Sequence, residues 1–260
     1  MAEKYHKSVR QIYRITSYYL SQTKLPNIKS NKPVSLVIDG IWFKKTRCGI
    51  TYLNHLTRRP IYWSFYSSEK FENICLDLYY IKKRFTNILG FTADGGKGIN
   101  SAVSGSFPEL PKQRCLAHIR RRINTLTTRN PKANCGWDLK ILMKKLFKIE
   151  NKKQKKKWIK ELNNWKEKYY SFLKERTYNP ETKTKWWYAH RRLRACRSHI
   201  NNALPFMFTY LDYYFLPKTS NGLEGRNSAI KKRFKDHSGL KREKYKNFFF
   251  WYLYFLSLED

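Results

Sequence analysis

The order of apolar patterns along the chain constrains its fold more than any other feature. Three short strand-like runs come first, at Val34–Asp39, Cys48–Leu53 and Ile61–Tyr66. A helical period follows from Glu69 to Phe85, and then a fourth strand-like run at Ile88–Ala93. Three consecutive strands favour an antiparallel meander, whereas strands that alternate with helices favour parallel pairing. The pattern therefore predicts a mixed α/β sheet.

A short fifth strand at Gln113–Leu116 completes the predicted order β-β-β-α-β-α-β-α. A mixed five-stranded sheet in this order is the ribonuclease-H-like architecture, which we predict for residues 34–135 and 217–260. Residues 136–216 have Trp, Tyr and Leu at helical spacing, with Lys on the opposite face. We predict that they form an all-α insertion domain before the helix that contains Glu224. Asn221 is the expected N-cap of that helix.

The charge of the chain indicates its partner. Its 54 Lys and Arg against 19 Asp and Glu give a formal net charge of +35. Such an excess is typical of proteins that bind a polyanion, and nucleic acid is the expected one, with basic residues on the phosphates of a duplex. No apolar run reaches the roughly 20 residues of a membrane span, and Phe248–Leu256 is expected to be a packed terminal helix. The missing signal-peptide core and the irregular cysteine spacing predict a reducing cytoplasm.

Three acidic residues are placed where metal ions could bind. Asp39 and Asp94 each follow an apolar run, and Glu224 lies at the start of a predicted helix. Ligands in open α/β sheets belong at the carboxyl ends of strands, and carboxylates are ligands that Mg²⁺ prefers. Asp-Gly alone also signals a turn, so the metal interpretation depends on all three acids together. Three further acids, Glu69, Glu72 and Asp77, lie on the predicted helix and are expected to be solvated there and not to bind metal. Of these, Glu69 remains a minor candidate for the metal site.

Other side chains are candidates for DNA contact or for a second metal. Cys115 and His118 supply two metal ligands, but structural zinc needs four, so a packing or hydrogen-bonding role is favoured. Trp186 or Trp187 could stack on a flipped or unpaired base, while most aromatic residues of the insertion belong to a core. The residues expected to bind phosphates are Arg120, Arg121, Arg122, Arg226, Asn227, Lys231, Lys232 and Arg233.

Four sequence blocks resemble those of the DDE transposases of bacterial insertion sequences that share the Mutator-like pattern. In chain order they are Asp39-Gly-Ile-Trp-Phe, Thr92-Ala-Asp94-Gly-Gly-Lys-Gly, Gln113-Arg-Cys115-Leu-Ala-His118 and Thr219-Ser-Asn-Gly-Leu-Glu224-Gly-Arg-Asn-Ser-Ala-Ile-Lys. The resemblance implies that Asp39, Asp94 and Glu224 are the catalytic triad and hold Mg²⁺, with Mn²⁺ as a substitute. It also implies a C-x2-H element at Cys115 and His118.

By the same resemblance, the protein would cleave transposon ends and join them to target DNA, as a homodimer in the bacterial cytoplasm at the nucleoid. Residues 1–33 depart from the family pattern, because they leave room for one helix and a linker. Lys7-Ser-Val-Arg-Gln-Ile-Tyr-Arg resembles the recognition half of a helix-turn-helix, which favours a truncated or split-frame copy. Two alternatives stay open: a non-catalytic DNA-binding remnant, and a ribonuclease-H-like nuclease that recognises branched DNA.

Overall fold

A computed structural model describes residues 3–23, 28–44, 47–236 and 239–258. The linker expected within residues 1–33 lies partly outside these ranges. The strands are β1 (Val34–Phe43), β2 (Arg47–Asn54), β3 (Arg59–Tyr66), β4 (Ile88–Ala93), β5 (Lys112–Arg114), β6 (Arg176–Tyr178) and β7 (Trp186–Tyr188). The α-helices are α1 (Val9–Ser21), α2 (Phe71–Arg84), α3 (Lys97–Ser106), α4 (Leu116–Thr127), α5 (Asn134–Leu146), α6 (Lys152–Lys168), α7 (Tyr170–Lys174), α8 (Arg191–Ala203), α9 (Asn221–Asp236) and α10 (Tyr245–Leu258). Short 3-10 turns cover Glu3–Tyr5, Leu204–Phe206, Thr209–Leu211 and Arg242–Lys244.

The main sheet has five strands in the order β3-β2-β1-β4-β5. β1 and β2 pair in antiparallel fashion, with Ile38 opposite Tyr52, and β2 pairs with β3 in the same way. β1 and β4 run parallel, and their last pair is Ile38 with Ala93. The predicted meander and parallel strand are therefore confirmed, and the mixed sheet is compatible with a ribonuclease-H-like fold.

The chain folds as two compact units. The first contains residues 1–110 and 220–260, and the second contains residues 111–219. We call them the sheet unit and the helical unit. The core of the helical unit includes Leu116, Ile119 and Ile123 of α4 beside residues of α5 and α6 such as Leu139 and Trp158. The apolar face of α4, which was expected within the ribonuclease-H-like domain, is thus buried among the later helices.

The segment 136–216 is not all-α, contrary to our prediction. Its strands β6 and β7 form an antiparallel hairpin in which Thr177 faces Trp187. The connecting turn is closed by main-chain bonds between Asn179 and Lys185 (2.8 Å) and between Lys183 and Asn179 (2.9 Å). Asn179 Oδ1 also accepts from the Glu181 amide at 2.8 Å. An Asn-initiated turn between runs of Thr, Tyr and Trp favours a hairpin, which the helical spacing of the aromatic residues concealed.

Side chains alternate between the two faces of the sheet. On one face, Leu36 and Ile38 of β1 join a core cluster with Ile74 and Leu78 of α2. On the other face, Ile41 and Phe43 of β1 join a cluster with residues of α9 and α10, among them Phe249. The C-terminal apolar run is therefore the packed helix that its composition predicts. None of the helices in the described part of the chain has the length and apolar character that a membrane crossing requires.

Asp77 does not lie on a solvated helix face, contrary to our expectation. Its side chain is fully buried and accepts hydrogen bonds from the hydroxyls of Tyr52 (2.9 Å), Ser64 (2.5 Å) and Tyr66 (2.8 Å). Burial raises the pKa of Asp77 to about 6, although these hydroxyls act in the opposite direction. Three hydroxyl donors from β2 and β3 explain how an acid is accommodated in this core.

The N-terminal helix α1 has no buried residues, and its start is fixed by a capping box between Ser8 and Gln11. Its end lies on α10, where Trp251 Nε1 donates to the Gln22 carbonyl at 2.8 Å. Asn247 Nδ2 likewise donates to the carbonyl of Ser21 at 2.9 Å. These contacts tie the helix to the sheet unit, and its role in DNA recognition stays a prediction.

Candidate active site

Asp39 and Asp94 lie at the same edge of the sheet. β1 runs on to Phe43, so Asp39 is not the last residue of its strand as the sequence suggested. The parallel pairing with β4 nevertheless ends at Ile38 and Ala93, so both aspartates directly follow the last pair. Their carboxylate oxygens lie within 4.8 Å of each other. Two neighbouring parallel strands thus bring together the first two acids of the predicted triad.

The loop after β4 holds the Asp94 carboxylate in place. The amide of Gly96 donates to Asp94 Oδ1 at 2.8 Å. Gly95 between them has φ of 85°, a left-handed conformation that glycine adopts without steric cost. Helix α3 begins immediately afterwards at Lys97. The Asp-Gly-Gly sequence therefore forms a tight turn in which the main-chain N–H of Gly96 orients the Asp94 carboxylate.

Helix α9 supplies Glu224 and a residue that contacts Asp39. Its first turn is capped by Ser220 and not by Asn221, because the amides of Leu223 and Glu224 both donate to the Ser220 carbonyl at 2.9 Å. The Ser220 hydroxyl donates to Glu224 Oε1 at 3.3 Å. The half-buried Glu224 thus lies in the first helical turn, as predicted. Among the described residues, the 4.8 Å group that contains the two aspartates does not include Glu224.

Asn227 lies beside the first acid of the predicted triad. It is buried one turn after Glu224, and its Nδ2 donates to Asp39 Oδ2 at 2.7 Å. This bond, together with the packing of Leu223 on Val37 and Leu53, fixes α9 against β1. The expected contact of Asn227 with DNA stays a prediction, and the observed contact of its side-chain amide is with Asp39. The sequence around Asn227 does not predict which face of α9 this residue occupies.

Glu69, which the sequence pattern favours only as a minor candidate, also lies at this edge of the sheet. The buried thiol of Cys48 donates to Glu69 Oε1 at 3.2 Å. Burial, and after it the carboxylates of Glu69 and Asp39, raise the pKa of the Cys48 thiol. The thiol therefore stays protonated and serves as a donor at neutral pH. The set of oxygen donors at this edge suits a hard divalent cation such as Mg²⁺.

In the helical unit, Cys115 and His118 lie together at the start of α4. Cys115 is buried directly before the helix, and His118 is half-buried in its first turn. The Cys115 sulfur and an imidazole nitrogen of His118 lie within 4.8 Å of each other. The two side chains of the C-x2-H sequence are therefore close together at the N-terminal end of α4.

The basic candidates differ in exposure. Arg120, Arg121 and Arg122 are exposed on α4, and the guanidinium of Arg120 lies 4.1 Å from the Phe147 ring centroid. On α9 the exposed residues are Lys231, Lys232 and Arg233. The half-buried Arg226 is held by the main chain, because its guanidinium donates to the Arg58 carbonyl at 2.6 Å.

Trp186 and Trp187 lie on β7 of the hairpin and are 42% and 40% exposed. Successive residues of a strand point to opposite faces, so the two indoles are presented on different sides of the ribbon. The guanidinium of Arg176 lies 4.0 Å from the Trp186 ring centroid. Arg194 lies 3.3 Å from the ring centroid of Tyr188. The hairpin therefore combines exposed aromatic rings with arginine side chains that stack on two of them.

Comparison with known proteins assigns the chain to a family. No curated protein matches it. The family model described as the transposase IS66 family matches residues 86–236, which is more than half of the chain. The matched segment includes Asp94 and Glu224, and Asp39 precedes it. This chain therefore belongs to the IS66 family, the DDE transposases of insertion sequences that act on DNA.

Proposed function

We propose that the protein cleaves DNA at transposon ends and transfers the freed strands into target DNA, with Asp39, Asp94 and Glu224 as its catalytic triad. The observation that carries this proposal is the approach of the Asp39 and Asp94 carboxylates to within 4.8 Å. Helix α9, which contains Glu224, is tied to the same place by the bond between Asn227 and Asp39. Glu224 would reach the ions by a shift of its flexible side chain in the first turn of α9.

The cofactor of this reaction would be Mg²⁺, which Mn²⁺ could replace. Carboxylates this close repel each other, and a divalent cation offsets that repulsion. When bound, such ions activate the attacking oxygen and stabilise charge on the leaving oxygen. The neutral donors Asn227 and Gly96 orient the carboxylates of Asp39 and Asp94. The donor set therefore fits the ion that the chemistry requires.

The proposed function consists of two phosphoryl transfers. In the first, a water oxygen attacks phosphorus at the transposon end and the bond to the 3′ oxygen breaks. That oxygen takes up a proton and leaves as a free 3′-hydroxyl. In the second, this hydroxyl attacks a phosphodiester of the target, loses its proton, and displaces a target 3′-hydroxyl. The numbers of phosphodiester bonds before and after the second step are equal, so strand transfer needs no external energy source.

The exposed cations would position the duplex. Lys231, Lys232 and Arg233 extend from the helix that contains Glu224, and contacts to phosphate fix the register of DNA without reading its sequence. Arg120, Arg121 and Arg122 would do the same on the helical unit. We further propose that the protein is of the Mutator-like subtype and that Cys115 and His118 act as its C-x2-H element. It would contain a ribonuclease-H-like domain with an insertion domain, and it would act as a homodimer on the DNA of the nucleoid.

The hairpin of the helical unit would hold unpaired bases. Trp187 is exposed on the ribbon face opposite Trp186, where an arginine already lies over the ring. Stacking on aromatic rings contributes about 1–3 kcal/mol per base and tolerates any sequence. DNA ends that are being cut and joined supply such bases. We therefore assign Trp187 as the main stacking ring, and Trp186 as its partner on the other face.

The test is a cleavage and joining assay on duplexes that carry the element's ends. Wild-type protein should give both products only with Mg²⁺ or Mn²⁺, and Asp94→Ala should give neither. DNA binding without cleavage in the wild type would favour the non-catalytic remnant. Equal activity of the wild type and Asp94→Ala would exclude the triad. Preference for branched over end-bearing DNA would favour the structure-specific nuclease.

A further inference from the structure

The side chain of Glu69, just before α2, reaches the edge of the sheet that carries Asp39 and Asp94. We propose that Glu69 is a fourth acidic residue of the divalent-ion site, which acts through the water shell of an ion bound by Asp94. The inference rests on the proposed function, because it assigns a further residue to that site. It concerns a positioning role, since Glu69 would contact the ion's waters and not the DNA.

Two glycines make room for Glu69. A Cβ on Gly40 would overlap Oε1 of Glu69 and would lie 3.2 Å from the Cys48 sulfur. A Cβ on Gly98, in the first turn of α3, would overlap the main-chain carbonyl oxygen of Glu69. Gly40 lies within β1 and not in a turn. The Asp39-Gly40 pair is therefore explained by the space that the Glu69 carboxylate occupies.

The Glu69 carboxylate approaches Asp94 from the side of the sheet opposite α9. Asp39 and Gly40 are successive strand residues, so they point to opposite faces. Asn227 holds Asp39 on the α9 face, and Glu69 fills the space beside Gly40 on the other. Oε2 of Glu69 lies 3.9 Å from the Cβ position of Gly96, and Oδ1 of Asp94 lies 3.5 Å from the same point. The two carboxylates thus border one small space.

The two oxygens of Glu69 have different surroundings. Oε1 accepts from the Cys48 thiol at 3.2 Å, which holds the side chain in this orientation. Oε2 is the atom nearer to Gly96 and the Asp94 loop. In the described part of the chain, Glu69 is outside the 4.8 Å group of the two aspartates, which favours contact through water. Mg²⁺ keeps several of its waters in proteins, and residues beyond the direct ligands tune its affinity about 10- to 100-fold.

A purely structural role makes different predictions. An acid before α2 interacts favourably with the helix dipole, and Glu69 also accepts from Cys48. On that account, Glu69→Gln would lower stability and leave cation affinity unchanged. Placing a third carboxylate beside Asp39 and Asp94 instead costs repulsion until a cation binds. Removal of its charge should then leave the cation-free protein as stable as before, or more stable.

The experiment measures Mn²⁺ and Mg²⁺ affinity by isothermal titration calorimetry on the full chain without DNA. We expect Glu69→Gln to raise the Kd about 10-fold. The matched control is Glu72→Gln, because Glu72 is exposed in the first turn of α2 and its loss removes the same charge near the same helix dipole. The control should bind cations as the wild type does. Melting temperatures in EDTA should be equal or higher for Glu69→Gln.

A third variant, Asp94→Asn, separates failure of this inference from failure of the site. If Asp94→Asn abolishes cation binding while Glu69→Gln leaves the Kd unchanged, the role of Glu69 is overturned and the site stands. If Asp94→Asn also binds cations normally, the proposed metal site is overturned with it. Equal weakening in Glu69→Gln and Glu72→Gln would reduce the effect to general charge and overturn the inference. Should Glu69→Gln fail to fold, Glu69→Asp keeps the charge but withdraws the oxygens, and an intermediate Kd is expected.

Discussion

Acidic side chains have different surroundings in the two units. In the helical unit, Asp138 is bound to Lys168 at 2.9 Å, Glu161 to Lys145 at 2.8 Å and Asp212 to Lys152 at 2.6 Å. In the sheet unit, Asp39 accepts from an amide, Asp94 from a main-chain N–H, and Asp77 from hydroxyls. A lysine partner adds positive charge beside an acid, whereas the amide and hydroxyl donors of the sheet unit orient a carboxylate. Oriented carboxylates at a sheet edge are suitable ligands for a divalent ion.

The largest expected difference is catalytic. Asp94→Asn should lower metal-dependent cleavage and strand transfer at least about 1,000-fold, a loss of about 4 kcal/mol in transition-state stabilisation. Asp138→Asn makes the same chemical change in the helical unit and should retain nearly full activity. Initial rates on end-bearing duplexes at saturating Mg²⁺ check both variants. A comparable loss in Asp138→Asn would show that the contrast between the units has no functional meaning.

The second difference is the direction of the pH dependence of stability. Because burial raises the pKa of Asp77 from 3.8 to about 6, its contribution to the free energy of unfolding is fully present below pH 3.8 and lost as pH rises through about 6. The difference corresponds to about 3 kcal/mol. Asp138 should behave oppositely, since bonds from Tyr169 and Lys168 lower its pKa, so its contribution is lost at acid pH.

Urea unfolding of the wild type, Asp77→Asn and Asp138→Asn between pH 3 and pH 8 measures both slopes. Asp77→Asn should remove the loss of stability between about pH 4 and pH 6. Asp138→Asn should leave that loss intact and weaken only the dependence at lower pH. If Asp77→Asn and the wild type follow parallel curves, the buried carboxyl titrates as it does in the unfolded chain and our account of its surroundings is wrong.

The third difference concerns DNA. Trp187→Ala should weaken binding of single-stranded oligonucleotides by about 1–3 kcal/mol, because one stacking ring is removed. Trp137→Ala is the matched control, since Trp137 is 44% exposed on α5 in the same unit. Fluorescence anisotropy with labelled single strands and duplexes measures both. Equal losses in the two variants, or a loss on duplex alone, would assign the hairpin a role other than stacking.

The smallest expected effect belongs to the exposed ion pairs. Glu161→Gln breaks the bond to Lys145 and should change the free energy of unfolding by no more than about 0.5 kcal/mol, because solvent and salt screen exposed pairs. Asn227→Ala, which removes a buried donor to Asp39, should cost about 1–3 kcal/mol and reduce activity. Thermal unfolding of both variants checks this order. A larger cost for Glu161→Gln would contradict the distinction between the units.

Much of the fold followed from local patterns. The alternation of strand and helix periods predicted the five-stranded mixed sheet, because hydrophobic periodicity records which residues face a core. It failed at the hairpin, because the helical spacing of Trp, Tyr and Leu over residues 136–216 predicted helices throughout, whereas a turn at Asn179 joins two strands there. It also failed at Asp77, since an acid on a helix face carries no mark of the three hydroxyls it meets in the core.

The sequence by itself determined that Asp39 and Asp94 each end an apolar run, and hence that they meet at one edge if the two runs pair as neighbouring parallel strands. Tertiary structure alone decided what surrounds them. Asn227, 188 residues from Asp39, meets it because α9 packs on β1. Glu69 reaches the edge because Gly40 and Gly98 leave space for it. These contacts depend on the missing side chains of two glycines and on which face of α9 packs against β1. Neither can be predicted from a local pattern of residues.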